Sequence, residues 1–221
     1  MNLLHLDASA RTASLSRELG RAFVASWRRH APDAGYVRRD LAAEPVPPIT
    51  EAWTEICDTL MREEIIALDR LHEGARTDAQ RQAWAVVEPL LTELITADVV
   101  LITTPMYNYG VPAALKAWID QVTFPRMDLG HRRFVVLAAR GGSYAPGAPH
   151  AGVEHLVTYL TDFVTEHYGV PAPRTLAVDL ANARVDPLLR DRRGEHDDSW
   201  RAALAGIDTL AAEVAAERRA A

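Results

Sequence analysis

This chain of 221 residues holds a single cysteine, Cys57. One thiol excludes an intrachain disulfide and a cysteine-based zinc site, and it fits a reducing, cytoplasmic setting. Long apolar runs are missing too. No stretch approaches the roughly 18 consecutive apolar residues of a membrane span, so no membrane partner is expected. The opening Met1-Asn2-Leu3-Leu4-His5-Leu6-Asp7 lacks the positive n-region and long apolar core of a signal peptide. There is no basic surplus: the net charge is −6 and the pI is near 5.7, which argues against nucleic acid as a partner. Arginines at 28–29 and within 190–193 stand among acids and read as solvated surface. No dinucleotide fingerprint of the Gly-x-Gly-x-x-Gly type occurs, and Ser9 is not part of a Gly-x-Ser-x-Gly nucleophile elbow. No pair among the eight histidines has the spacing of a helix metal site, so no metal is expected.

What is present is ordinary globular material, 48% hydrophobic and 24% charged. The length suits a single domain over residues 1–221. Apolar runs at 3–6, 36–41, 99–103, 133–139 and 175–179 read as strands. Helical spacing fills 14–30, 51–71, 77–96, 111–120 and 153–168, and an Ala-rich helix closes the chain over 199–219. Thr77 followed by Asp78 is a plausible start for the third helix. Strands that alternate with helices throughout imply a parallel sheet covered on both faces. Five strands with ligand loops after the first, third and fourth fit an α/β doubly wound, flavodoxin-like sheet of order 2-1-3-4-5.

Three loops carry the candidate chemistry. The most informative is Thr103-Thr104-Pro105-Met106-Tyr107-Asn108-Tyr109-Gly110, which follows a buried strand and precedes a helix. Open α/β sheets bind ligands at such strand ends. Backbone N–H groups, one amide and two aromatic rings suit a flat, polar-edged heterocycle such as a flavin. The loop at 7–16 brings Ser9, Ser14 and Ser16 to the start of the first helix, a ready phosphate site, although plain N-capping by Ser14 or Ser16 would leave the same pattern. In Arg140-Gly141-Gly142-Ser143-Tyr144, adjacent glycines let the backbone approach a ligand closely, or simply make a tight turn.

Together with the Arg39-Asp40-Leu41-Ala42 segment and its following prolines, these loops resemble the FMN-dependent NADH azoreductases, flavodoxin-like homodimers related to NAD(P)H:quinone reductases. The resemblance covers most of the chain, and Pro105-Met106-Tyr107-Asn108-Tyr109 is its specific motif. It implies an oxidoreductase that takes NADH or NADPH as reductant and a quinone, azo or related planar small molecule as acceptor. It assigns Ser9, Ser14 and Ser16, with Leu15 between them, to the FMN phosphate. Pro105, Met106, Tyr107, Asn108 and Tyr109 fall to the isoalloxazine and ribityl chain, and Arg140, Gly141 and Gly142 to the pyrimidine edge. No protein group is assigned as catalytic, because the flavin carries the chemistry.

The chain also departs from the family pattern. Leu15 stands where Gln or Arg is common, and Tyr144 where His is frequent. Residues 121–130 are short where the family carries a hairpin that covers the flavin, while 49–76 is expanded. The expected substitute lid is that expanded helix, with Trp53 lining the acceptor pocket beside Phe124, Tyr144 and His150. Trp53, Ile56, Leu60 and Ile65 would equally serve as core. Two other readings stay open: a biosynthetic flavoenzyme dedicated to one metabolite, and a flavodoxin-like binding protein without catalysis.

Overall fold

The computed structural model describes residues 1–145 and 147–217. Strands β1 (Asn2–Asp7), β2 (Gly35–Asp40), β3 (Val99–Pro105), β4 (Arg133–Ala139) and β5 (Arg174–Val178) pair in parallel in the order β2-β1-β3-β4-β5. The expected topology is therefore the observed one. Helices α1 (Leu15–His30), α2 (Glu51–Arg62), α3 (Asp78–Thr96), α4 (Ala113–Val122), α5 (Leu156–Tyr168) and α6 (Arg193–Ala216) join and cover the strands.

Side-chain alternation along the strands sorts the core into two layers. Leu3, Val99, Leu101, Val135 and Leu137 pack with α1 and α6. Leu4, Leu6, Val100, Ile102 and Val136 pack with α2, α3, α4 and α5. Gly20 of α1 permits the closest approach of helix to sheet, since a Cβ there would lie 2.7 Å from Thr103 Cγ2 and 2.9 Å from His5 Nε2.

The second helix is shorter than its periodicity suggests. It ends at Arg62 rather than near residue 71, and 63–70 is irregular before a 3-10 turn at Leu71–Gly74. Ile65 N–H donates to Leu60 O at 3.0 Å and Glu64 N–H to Met61 O at 3.4 Å, with Glu64 at φ 54°. This is a Schellman closure with Glu in the left-handed position that glycine usually takes, so the stop carries no glycine signal. By contrast, α3 starts where expected, with Thr77 and Gln80 forming a reciprocal capping box. Helix α4 runs two residues later than the 111–120 span, over Ala113–Val122, with Pro112 at its N-cap. The last helix starts earlier than read, at Arg193, and residues 218–219 of the expected span lie outside the described residues.

The short segment after α4 folds inward. Phe124, Met127 and Leu129 are buried, Thr123 Oγ1 lies 2.7 Å from the Tyr168 hydroxyl, and Leu129 N–H donates to Tyr168 O at 2.9 Å. Cys57 is buried as well, and loss of solvent pushes its thiol up to about 12, so it remains a protonated apolar side chain. Among the described residues no helix is long and apolar enough to cross a membrane, and no group of three or more His, Cys, Asp or Glu is placed to hold a metal ion.

Candidate active site

Because the strands are parallel, the loops after β1, β3, β4 and β5 leave the same edge of the sheet. They enclose a cleft of about 750 Å³, within the usual range of small-molecule and cofactor sites.

The first wall is the β1–α1 loop. Ser9 and Ser14 face the cleft with Leu15, and Ser16 lies directly behind them, fully buried. Ser14 Oγ and Ser16 Oγ are 2.9 Å apart. Ser14 occupies the N-cap of α1 but makes no side-chain capping bond. The positive end of the helix thus faces the cleft with its hydroxyls paired to each other, the arrangement of an anion site. Arg17 braces the loop from below. Its Nη2 donates to Ser9 O at 2.7 Å and to Asp40 Oδ1 at 2.9 Å, and its Nη1 reaches Asp40 Oδ2 at 2.6 Å. That guanidinium holds the Asp40 carboxyl down at about 2.

The second wall is the β3–α4 loop. Tyr107 and Gly110 exchange both backbone hydrogen bonds, at 3.1 and 3.0 Å, around Asn108 (φ 48°) and Tyr109 (φ 68°). Two successive left-handed residues make a type I′ hairpin. Tyr109 in that position is strained, of order 1–3 kcal/mol, and backbone strain of this kind gathers at ligand sites. Met106 N–H donates to Ala139 O at 2.8 Å, and Tyr109 O accepts from His155 N–H at 3.1 Å. The Met106 and Tyr107 amides are therefore engaged within the protein. The N–H groups of Asn108 and Tyr109 have no protein acceptor among the described residues.

The third wall joins the β4 and β5 loops. Gly141 and Gly142 line the cleft with Tyr144. Leu180 N–H donates to Gly142 O at 2.9 Å and Asn182 N–H to Gly141 O at 3.3 Å, which lays the 3-10 turn Ala181–Arg184 along the glycines. A Cβ on Gly141 would fall 2.7 Å from Asn182 Nδ2, so glycine is what permits this contact. Arg140 is turned to bracing. Its Nε donates to Asp179 Oδ1 at 2.6 Å, Nη1 lies 3.6 Å from Glu154, and the guanidinium sits 5.4 Å from the centre of the Tyr144 ring. Asp179 Oδ2 accepts from Tyr144 N–H at 3.0 Å, so one carboxylate fixes both residues.

A sequence model described as a flavodoxin-like fold matches residues 1–199. The chain belongs to this flavodoxin-like family. Within it, a Nocardia farcinica protein named FMN-dependent NADH:quinone oxidoreductase is 58% identical over 202 residues, which span 91% of this chain and 94% of that one. A Parafrankia protein of the same name is 35% identical over 85% of this chain and 88% of its own length. Among solved structures, an azoreductase from Bacillus anthracis str. Sterne superposes with a TM-score of 0.79 at 22% identity, covering 96% of this chain and 99% of that one. An FMN-dependent NADH-azoreductase from Bacillus anthracis str. Ames Ancestor, solved in complex with FMN, gives 0.75 at 18% identity, covering 97% and 100%. At those identities the likeness is one of fold.

The flavodoxin-like frame brings most of the anticipated residues to one place. Ser9, Ser14, Leu15, Pro105, Met106, Tyr107, Asn108, Tyr109, Gly141, Gly142 and Tyr144 all line the cleft. Ser16 and Arg140 stand behind it as supports. His150 lines an adjoining recess of about 280 Å³, its ring 6.4 Å from that of Tyr109 and 6.1 Å from that of Tyr144. Burial raises the Tyr144 phenol above its ordinary range.

Trp53 and Phe124 do not reach the cleft. Their rings pack on each other at 5.3 Å, Trp84 packs on Phe124 at 5.9 Å, and Trp53 Nε1 donates to Gln121 O at 3.2 Å. Ile56, Leu60 and Ile65 are buried in the same layer. Within one chain, α2 is thus a core helix and not a lid. Sequence reading also missed Arg11, Glu18, Asn182, Arg184 and Val185, which line the cleft together with Ala13, Ala139 and Ala181. Arg11 lies in the loop already singled out, and its charge beside three hydroxyls was the available signal. The residues after β5 follow no motif, and only the strand order places them at the cleft.

Proposed function

We propose that this chain is an FMN-dependent oxidoreductase that passes reducing equivalents from NADH, or NADPH, to a quinone or related planar acceptor. The observation that carries the reading is the convergence of its three motif loops on one cleft, in a chain 58% identical to a protein of that name.

The donor set fits FMN. An uncapped helix start with serine hydroxyls and the nearby Arg11 suits a terminal phosphate. Met106, Tyr107 and Tyr109 offer apolar and aromatic surface, and the amides of Asn108, Tyr109, Gly141 and Gly142 offer donors for a polar ring edge. When bound, FMN supplies two-electron transfer between the nicotinamide and the acceptor. Ser9 and Ser14 would hold the phosphate, with the Ser16 hydroxyl behind them positioning that of Ser14. Gly141 and Gly142 would hold the pyrimidine edge, with Arg140 and Asp179 keeping that loop in place. Tyr144 and His150 border the recess beside it and suit contact with an acceptor. No acid or base of this chain is assigned to the acceptor, which solvent would protonate.

We further read the chain as one FMN-binding unit, a cytoplasmic protein, and a homodimer in which the partner helps cover the open cleft. The exposed Tyr107, Tyr109, Val185 and Leu188 beside the cleft support that last point. Light scattering over a dilution series tests it, and a monomer at micromolar concentration would defeat it.

The functional test is NADH oxidation by FMN-loaded protein with and without a benzoquinone. Quinone-dependent turnover is expected. Full FMN occupancy with no turnover on any quinone would overturn the assignment. Tyr109→Gly provides a second check. It relieves left-handed strain and should stabilise the ligand-free chain by about 1 kcal/mol, while removing a ring from the cleft and weakening FMN retention. Denaturant melts and fluorescence titration would read the two effects, and loss of stability would show that the Tyr109 ring itself holds the loop.

A further inference from the structure

A second cavity, of about 450 Å³, shares no lining residue with the cleft. It lies where α1 leaves the edge strand β2 uncovered. Arg17, Arg21 and Arg28 line it from one stripe of α1, Tyr36 and Arg38 from β2, and His5 and Asp7 from β1.

Its charge is unusual for an acidic chain. Four guanidinium groups line it, and two of them pair with the carboxylates of Asp7 and Asp40, a surplus of two positive charges where the chain as a whole carries −6. Arg17 and Arg38 serve those two carboxylates. Arg21 and Arg28 make no ion pair among the described residues. Arg17 is 8% exposed and held by Asp7, Asp40 and the Ser9 carbonyl, so it forms the fixed floor of the groove while Arg21 and Arg28 supply its unpaired charge. His5 adds no charge, because burial, then Arg38 and Arg17, hold its pKa down at about 3. Its Nδ1 lies 3.0 Å from the Tyr36 hydroxyl and its Nε2 2.9 Å from Thr103 Oγ1.

Guanidinium groups only donate, and their fork matches phosphate oxygens. The cavity is larger than a bare ion needs. Arg28 lies 5.1 Å from the centre of the half-buried Tyr36 ring, which gives a flat surface beside the charges. We infer that this groove binds a dianionic phosphate monoester carrying a flat ring, a mononucleotide being the chemical type. The guanidiniums of Arg21 and Arg38 take the phosphate, and the flat Arg28 guanidinium, backed by the Tyr36 ring, takes the ligand ring.

The test uses FMN-saturated protein, so that the serine loop is filled, and calorimetric titration with AMP and with inorganic phosphate. Saturable, salt-sensitive AMP binding is expected. It should weaken at least tenfold when Arg21→Ala and Arg28→Ala are combined, with the FMN spectrum and circular dichroism unchanged. Both side chains are exposed, so the fold should tolerate the change. Inorganic phosphate should bind more weakly than AMP. No AMP binding, or AMP binding indifferent to the two substitutions, would overturn the site. Phosphate binding as tight as AMP would overturn the monoester assignment. The assay reads binding and not turnover, so its failure is separate from failure of the quinone reductase reading.

Discussion

Ser14→Asp is expected to leave the purified protein colourless. The substituted carboxylate would stand at the N-cap of α1, against the face of the cleft that the FMN phosphate would occupy. Two effects act in the same direction. The helix N-terminus already favours an anion, so the new side chain occupies the site intramolecularly. It also repels the incoming phosphate: two unit charges about 4 Å apart cost about 4 kcal/mol at an effective dielectric of 20. That corresponds to roughly a thousandfold in affinity at about 1.4 kcal/mol per factor of ten. Ser14→Ala separates the effects, since it removes one hydrogen bond and adds no charge. It should weaken FMN by about tenfold. Fluorescence titration of the ligand-free proteins measures both, and an Asp is a favourable N-cap, so the variant should fold. Unchanged affinity in the Asp variant would place the phosphate elsewhere.

The contrast between Ser14 and Ser16 marks how far the sequence could be read. That both hydroxyls stand at the start of a helix after β1 is legible because the strand-to-helix switch is local and its periodicity is strong. Which one faces the cleft depends on how α1 is rolled against β1 and β3, which Gly20 sets by its approach to His5 and Thr103. The strand order was legible for a similar reason: the apolar runs of β3 and β4 admit little but a doubly covered sheet.

What sequence does not show is long-range. Asp179 and Glu154, distant in sequence, engage the Arg140 guanidinium and turn that side chain to bracing its loop. Trp53 and Phe124 have the same periodicity whether they line a cleft or a core, and the choice falls to Trp84 and Gln121. The end of α2 was invisible because Glu64 supplies a left-handed residue without being glycine. With α2 in the core and residues 121–130 folded under α5, neither segment covers the cleft. That is the strongest physical reason to expect a second copy over the cleft.

Arg17→Met is expected to produce the largest loss of stability and to loosen FMN as a consequence. Arg17 is nearly buried and joins Asp7, Asp40 and the Ser9 carbonyl. Removing it strands charge in a place that water reaches poorly, and breaking such a pair costs about 3–5 kcal/mol. Arg38 still reaches Asp7 at 2.7 Å and Asp40 at 3.1 Å, so the lower end applies. For a chain of this size, about 3 kcal/mol lowers Tm by roughly 6–12 °C. The pH dependence has a definite sign. Asp40 has a folded-state pKa of about 2, below its ordinary 3.8, principally through its hydrogen bond to Arg17. A depressed carboxylate contributes stability that is present above pH 4 and is lost as the pH falls through 2. The gap between wild type and Arg17→Met should therefore be full at neutral pH and narrow as the pH falls from 4 to 2, by less than the whole Asp40 shift, because the Ala42 and Ala43 N–H groups and Arg38 still hold that carboxylate. Arg17→Lys keeps the charge but not the two-pronged contact, and should fall between the two. Denaturant melts across that pH range measure the gap, and FMN titration at neutral pH, where the variant remains folded, should show about tenfold weaker binding as the Ser9 carbonyl loses its donor. A gap independent of pH would mean that Arg17 acts through packing of its stem and not through Asp40. Unchanged FMN affinity in a destabilised variant would show that the serine loop holds its shape without the brace.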